Sequence, residues 1–238
     1  MMQQTPKYRR ILLKLSGEAL AAGGSNLIDH DFVLKIADVL KRCISVGAEV
    51  AVIVGAGNIW RGRQGKDMDA TRADSMGMLA TAINAIALQD AFIGAGIPSH
   101  TMTAVSMPQF AEPFVRDKAI SYLKEGHVVI FGCGLGIPFL STDTAAAVRA
   151  AEIGADIVLM AKNIDAIYTA DPLTDPTAKK LDTISCREIL EKNLKALDST
   201  ATAFCMDHHI PVLAFGLSDP ENIFRAVMGE KLGTVITD

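Results

Sequence analysis

Val50-Ala-Val-Ile-Val-Gly-Ala-Gly-Asn-Ile-Trp-Arg61-Gly62 runs five apolar residues, three of them valine, into a glycine turn that ends on an arginine. A short β-branched run closed by glycine reads as a strand buried on both faces. Gly55, Ala56, Gly57 and Asn58 suit a turn whose amides converge on an anion, and Arg61 adds a forked donor matched to phosphate, followed by Gly62 and Arg63. Two further loops share the design, Lys14-Leu-Ser-Gly17 and Gly132-Cys-Gly-Leu-Gly136. None has the G-x-x-x-x-G-K-S/T spacing of the common phosphate loop. Three anion-suited loops after strands point to phosphate chemistry of another design.

Outward from that stretch, strand-like runs at 10–15, 49–54, 128–131, 156–160 and 211–215 alternate with helical stretches, and 99–105 and 234–237 add two more. That alternation predicts an α/β chain with a mostly parallel sheet wrapped by helices. Val33, Ile36, Leu40 and Ile44 recur at helical spacing before Gly47, and Gly126 and Gly154 close helices in the same way. Ser218-Asp-Pro-Glu221 supplies a cap, a first-turn proline and an early acid for a last helix. Residues 168–180 carry two Asp-Pro pairs and several threonines, which reads as a surface loop at a subdomain seam.

The length of 238 residues, 50% of them hydrophobic, suits one large α/β domain. Its 23 basic and 27 acidic side chains, net −4, argue against a general nucleic-acid or anionic-membrane binder. Cys43, Cys133, Cys186 and Cys205 form no C-x-x-C pair, so a reducing cytoplasm is expected rather than a disulfide framework or zinc site. Arg9 and Arg10 precede an apolar run that Lys14, Ser16 and Glu18 interrupt too early for a signal peptide. The longest apolar helix candidate, about 76–94, contains Asn84, Gln89 and Asp90 and reads as too polar to span a bilayer.

Several residues carry candidate chemistry, each with a plainer reading beside it. Lys14, at the carboxyl end of the first strand, can neutralise a transferring phosphoryl group while Gly17 admits backbone amides, or it is a surface lysine. Asp74 can accept hydrogen bonds from a ribose diol, or it caps a long helix. The third loop continues through Pro138 and Phe139 to Thr142 and Asp143, which fit N-cap positions of an alanine-rich helix. Asp143 can also orient the Lys14 ammonium or a hydrated Mg²⁺. Lys162, Asn163, Tyr168 and Asp171 can hold a base and ribose, or simply pack. His208 and His209 read as a helix C-terminus without chemistry.

With these residues in place, the chain resembles the bacterial uridylate kinases of the amino-acid kinase superfamily. The resemblance rests on four ordered blocks: Tyr8-Arg-Arg-Ile-Leu-Leu-Lys-Leu-Ser-Gly-Glu-Ala-Leu20, Met76-Gly-Met-Leu-Ala-Thr81 following Asp74, Tyr168-Thr-Ala-Asp-Pro172, and Val227-Met-Gly-Glu-Lys231. It implies a three-layer αβα sandwich, a cytoplasmic homohexamer, and Mg²⁺-dependent transfer of the ATP γ-phosphoryl to UMP in pyrimidine nucleotide synthesis. By the family pattern Lys14, Leu15, Ser16, Gly17, Gly57 and Arg61 hold ATP phosphates. Lys162, Asn163, Tyr168 and Asp171 hold the nucleoside end. Ala56, Asp74, Leu135, Gly136, Ile137, Pro138, Phe139, Leu140, Ser141 and Thr142 surround UMP. Lys14, Arg61 and Asp143 are the implied catalytic set. The acceptor lobe spans about residues 1–160 and the ATP lobe about 161–238.

Departures from the pattern bear on two points. Ala56 stands where the family has a middle glycine, which is tolerable only if its backbone avoids positive φ. Arginines of the family's GTP-activator contacts fall at Gln89, His100 and His127 here, which leaves GTP activation in doubt and UTP inhibition open. A kinase of carboxylate acceptors such as acetylglutamate, or a nucleotide sensor without turnover, are the competing readings. Asp74 and the Ser141-Thr142 pair count against the first, and Lys14, Arg61 and Asp143 against the second.

Overall fold

The computed structural model describes residues 5–21, 23–24, 26–60, 65, 67–170, 172, 174–194 and 196–238. Among these, nine strands form one sheet: β1 (Arg10–Leu15), β2 (Glu49–Val54), β3 (Ser99–Thr103), β4 (Glu112–Pro113), β5 (Val128–Gly132), β6 (Ile157–Lys162), β7 (Thr183–Ser185), β8 (Val212–Gly216) and β9 (Thr234–Thr237). Their order is β4-β3-β5-β2-β1-β6-β8-β9-β7. Every pairing is parallel except that of β8 with β9. The chain is α/β with a mostly parallel sheet, as the alternation of runs predicts.

Helices cover both faces because the central strands are apolar on both. On one side, α2 (His30–Ser45), α3 (Ala70–Gly94) and α8 (Glu221–Val227) pack on Ile11, Leu13, Leu15, Val50 and Val52. On the other, α4 (Arg116–Lys124), α5 (Thr142–Ile153), α6 (Cys186–Glu191) and α7 (Ser199–Asp207) pack on Leu12, Ala51, Ile53, Val129 and Phe131. The result is a three-layer αβα sandwich. A single turn, α1 (Gly17–Leu20), follows β1. Gly47, Gly126 and Gly154 all have positive φ after α2, α4 and α5, where the sequence placed helix ends.

The described residues of 168–180 form a surface loop as expected, tied at its ends by an antiparallel bridge between Tyr168 and Lys180. Two other expectations are corrected. The last helix takes Pro220 as its N-cap position without a side-chain cap, although the Asp219 carboxylate accepts the Glu221 amide at 3.0 Å. The polar residues of α3 do not disqualify it by composition, since it is long and apolar enough to cross a membrane. Its packing is that of a covering helix: Asn84, Ala85, Leu88 and Phe92 are buried, while Leu79, Ile83 and Ile93 remain exposed.

β1 lies between β2 and β6, so the chain leaves the first strand one way and later returns on its other side. Open parallel sheets bind ligands at the carboxyl ends of the strands flanking such a switch point. The loops after β1, β2, β5 and β6 all leave the sheet at that edge.

Candidate active site

Alternation along β1 decides where its lysine goes. Ile11, Leu13 and Leu15 enter the α2 side, so Lys14 shares the opposite face with Leu12, toward α5. Asp143 stands in the first turn of α5. The Lys14 ammonium lies 3.0 Å from its Oδ1, with only 13% and 19% of the two side chains exposed. A cation held this way is screened little by solvent and fixed in direction.

The first two loops touch so closely that no side chain fits between them. A Cβ on Gly17 would lie 2.5 Å from the Gly57 nitrogen and 2.7 Å from the Gly55 oxygen. The Gly55 amide donates to the Leu15 carbonyl at 2.9 Å, and the Ser16 hydroxyl accepts the Ala19 amide at 3.2 Å. From below, the fully buried Asn84 of α3 donates to the Gly55 carbonyl at 2.8 Å and to Asn58 Oδ1 at 2.8 Å. Ala56 is not among the residues with positive φ, so its methyl group causes no backbone strain. Its carbonyl instead accepts the amides of Ile59 and Trp60.

The third loop is held in a strained conformation. Cys133 and Phe139 have φ of 61° and 67°, and Gly134 and Gly136 are also positive. Non-glycine residues in that region persist only where the surroundings over-determine them. Here the Thr81 hydroxyl accepts the Cys133 amide at 2.8 Å, and Asp74 Oδ2 accepts the Phe139 amide at 2.8 Å. At Gly136 an added Cβ would lie 3.2 Å from that of Ala104.

Asp74 is therefore not the helix cap; Asp69 is, accepting the Arg72 amide at 3.1 Å. Thr142 and Asp143 are likewise not the cap of α5. Ser141 is, its hydroxyl accepting the amides of Asp143 and Thr144 at 3.0 and 3.1 Å. Both shifts free a carboxylate that capping would have occupied.

Between the second and third loops lies a cavity of 280 Å³. Ala56, Gly57, Asp74, Ile137, Leu140, Ser141 and Thr142 line it, joined by Trp60, Gly77 and Thr81. Leu135 packs into the α5 side of the core instead, and the Phe139 side chain is 70% exposed. A larger cavity of 340 Å³ among Lys7, Tyr8, Gly229 and Lys231 is lined by none of the candidate residues. The smaller one holds Asp74 and the loop residues after β2 and β5, with Thr142 leading directly to Asp143, which makes it the candidate site.

Lys162 ends β6, and its ammonium donates to the Ala196 carbonyl. Burial pushes it below the usual lysine range; Asp143 and Asp198 oppose that shift, while the Lys14 charge adds to it. The two lysines thus share one electrostatic environment around Asp143. Asn163 is exposed, and the Tyr168 hydroxyl donates to Asp165 at 2.9 Å. Arg61, Gly62, Arg63 and Asp171 lie outside the described residues. Gln89 bonds the backbone of Ser99 and Thr101 in β3, apart from the two histidines. His100 stacks on Tyr122 at 3.6 Å and meets His127 at 3.1 Å.

Sequence reasoning missed Asn84, Thr144 and Asp198. An asparagine in the middle of an apolar helix was a signal for the first, since a buried amide needs partners. Asp198-Ser-Thr is a cap signal for α7, yet nothing local says that Asp198 reaches α5.

The fold has close counterparts among solved structures. A UMP kinase from Bacillus anthracis matches with a TM-score of 0.93 and 33% identity, over 97% of this chain and 96% of the other. One from Ureaplasma parvum matches with a TM-score of 0.92 and 33% identity, over 98% of this chain and 100% of the other. The uridylate kinase of Archaeoglobus fulgidus is more distant, with a TM-score of 0.74 and 28% identity over 95% and 99%. The family model of the amino acid kinase family matches residues 9–215. With a sandwich of this topology and a match over most of its length, the chain belongs to the amino acid kinase family.

Proposed function

We propose that the chain is a UMP kinase, transferring the γ-phosphoryl group of ATP to UMP to give UDP and ADP. The observation that carries this is the Lys14–Asp143 pair, set where the loops after β1, β2 and β5 meet beside the Asp74 cavity. The full-length likeness to solved UMP kinases supports the same acceptor.

Phosphoryl transfer to a phosphate oxygen needs alignment and charge neutralisation more than a base. Lys14 places positive charge where the transferring group gathers negative charge, and Asp143 fixes its direction. Lys162, which the family pattern gives to the nucleoside end, shares the electrostatic environment of Lys14 and Asp143, and that coupling favours the phosphate side for it instead. Leu15, Ser16, Gly17 and Gly57 line the approach for ATP phosphates, with Arg61 the forked donor between donor and acceptor. Asn163, Tyr168 and Asp171 flank the nucleoside end. Asp74 uses one oxygen on the third loop, which leaves the other for the ribose hydroxyls of UMP. Ala56 and the segment 135–142 complete the acceptor side.

Mg²⁺ enters with ATP as part of the substrate. Mg²⁺ keeps several waters and is held mainly through substrate phosphates with one or two carboxylates. Asp143 is the carboxylate on hand for it. The remaining elements of the reading are an acceptor lobe of about residues 1–160, an ATP lobe of about 161–238, a cytoplasmic setting and a place in pyrimidine nucleotide synthesis. The exposed Leu79, Ile83 and Ile93 of α3 support assembly into an oligomer, proposed as a homohexamer.

The test is a phosphotransfer assay with Mg·ATP and a panel of UMP, CMP, AMP and acetylglutamate. UDP formed from UMP at the highest kcat/KM is the expected result. No UDP, or a preference for acetylglutamate, overturns the reading.

A further inference from the structure

Asp198 caps α7, and for that it needs only one oxygen: Oδ1 accepts the Ala201 amide at 2.9 Å. Its other contacts belong to another element. Oδ2 accepts the Ser141 hydroxyl, and the Thr144 hydroxyl lies 3.2 Å from both oxygens. A serine hydroxyl has one proton and two lone pairs. With its proton on Asp198, Ser141 turns both lone pairs toward α5, where it accepts the amides of Asp143 and Thr144. The carboxylate thereby fixes the rotor that caps α5, and the capped turn carries Asp143 to Lys14.

The segment holding Asp198 also holds the second cation. Ala196, two residues before it, accepts the Lys162 ammonium. One short stretch ahead of α7 therefore orients Lys14 through Ser141 and Asp143, and Lys162 directly.

We propose that Asp198 is a positioning residue for phosphoryl transfer, acting through the Ser141 hydroxyl on the first turn of α5. Its catalytic part rests on the UMP kinase reading; its structural part does not.

Asp198→Asn separates the two jobs. Asparagine caps helices as well as aspartate does, so α7 keeps its start. The neutral amide puts a donor, or an uncharged and weaker acceptor, against the Ser141 hydroxyl. The expected result is a kcat for UDP formation lowered about 10- to 100-fold, as for a displaced catalytic group, with a smaller change in the KM for UMP and nearly unchanged thermal stability. Ser141→Ala should lower kcat similarly, and the double variant should lose no more than the worse single, because both act on one contact. Amide hydrogen exchange gives a readout free of activity: Asp143 and Thr144 should exchange faster in Asp198→Asn, with Ala201 unchanged. Unaltered exchange at Asp143 and Thr144, full kcat in Asp198→Asn, or losses that multiply in the double variant overturns the proposal. A wild-type protein that forms no UDP sinks the UMP kinase reading alone, since the exchange result still decides the role of Asp198.

Discussion

Lys14 shows how one residue's place in an alternating strand settles its chemistry. Had it fallen one position earlier or later, it would have faced the α2 core with Leu13 and Leu15, where a charge has no partner. At its actual position it meets Asp143 at 3.0 Å. Lys14→Ala removes a directed charge from the developing transition state while leaving Asp74 and the acceptor cavity in place. We expect kcat to fall about 100- to 1000-fold, as when one electrostatic donor is deleted, with the KM for UMP changed little; steady-state kinetics of UDP formation checks this. A variant with wild-type kcat would remove Lys14 from the reaction. Residues of this kind were legible because period and loop chemistry are local. Ser141 was read one residue late, as a cap at Thr142 or Asp143, because all three types cap helices and only geometry ranks them. The reach of Asp198 was not legible: its hydroxyl partners lie at α5, and no local pattern records a contact across the molecule.

Among the elements, the five strands read from apolar runs lie at the centre of the sheet, because burial on both faces writes a continuous signal. β4 and β7, of two and three residues, form its two edges and left none. A strand that short has no period, and its pairing is decided by the neighbour it docks on. α3 shows the opposite problem: its apolar residues occur on all sides, so the side that meets the sheet is marked only by Asn84 and the small residues around it. Asn84 ties this helix to the loop after β2. Asn84→Ala leaves the Gly55 carbonyl and Asn58 Oδ1 without that donor in a buried place, which costs about 1–3 kcal/mol. For a chain of this size that corresponds to a fall in Tm of roughly 2–4 °C per kcal/mol. Calorimetry measures the fall, and the KM for ATP should rise with it as the loop loosens. An unchanged Tm would mean that Asn84 contributes nothing to the loop's place.

Across the whole molecule, the four cysteines report how dry both faces of the sandwich are. Cys43 lies in the α2 side of the core, and Cys186 and Cys205 in the α5 side. Burial pushes the thiols of Cys43 and Cys205 up to about 12, and those of Cys133 and Cys186 above the ordinary value. At neutral pH the native protein should therefore give almost no reaction with a thiol reagent, and four thiols should react after unfolding in urea. The same shifts predict how stability responds to alkali. Below the ordinary thiol value of 9.0 the folded and unfolded chains hold the same cysteine protons, so these groups leave stability independent of pH. Between about 9 and about 12 the unfolded chain ionises and the folded one does not. Stability then falls as pH rises, by about 1.4 kcal/mol per pH unit for each of Cys43 and Cys205. Lysines and tyrosines also titrate there, so the measurement is a difference: urea unfolding from pH 8 to pH 11 for the wild type and for a Cys43→Ala, Cys205→Ala variant. The variant starts less stable because two buried sulfurs are gone, yet its stability should decline less steeply above pH 9. Parallel curves would show that these thiols ionise alike in the folded and unfolded chains, and that the two cores admit more water than their packing implies.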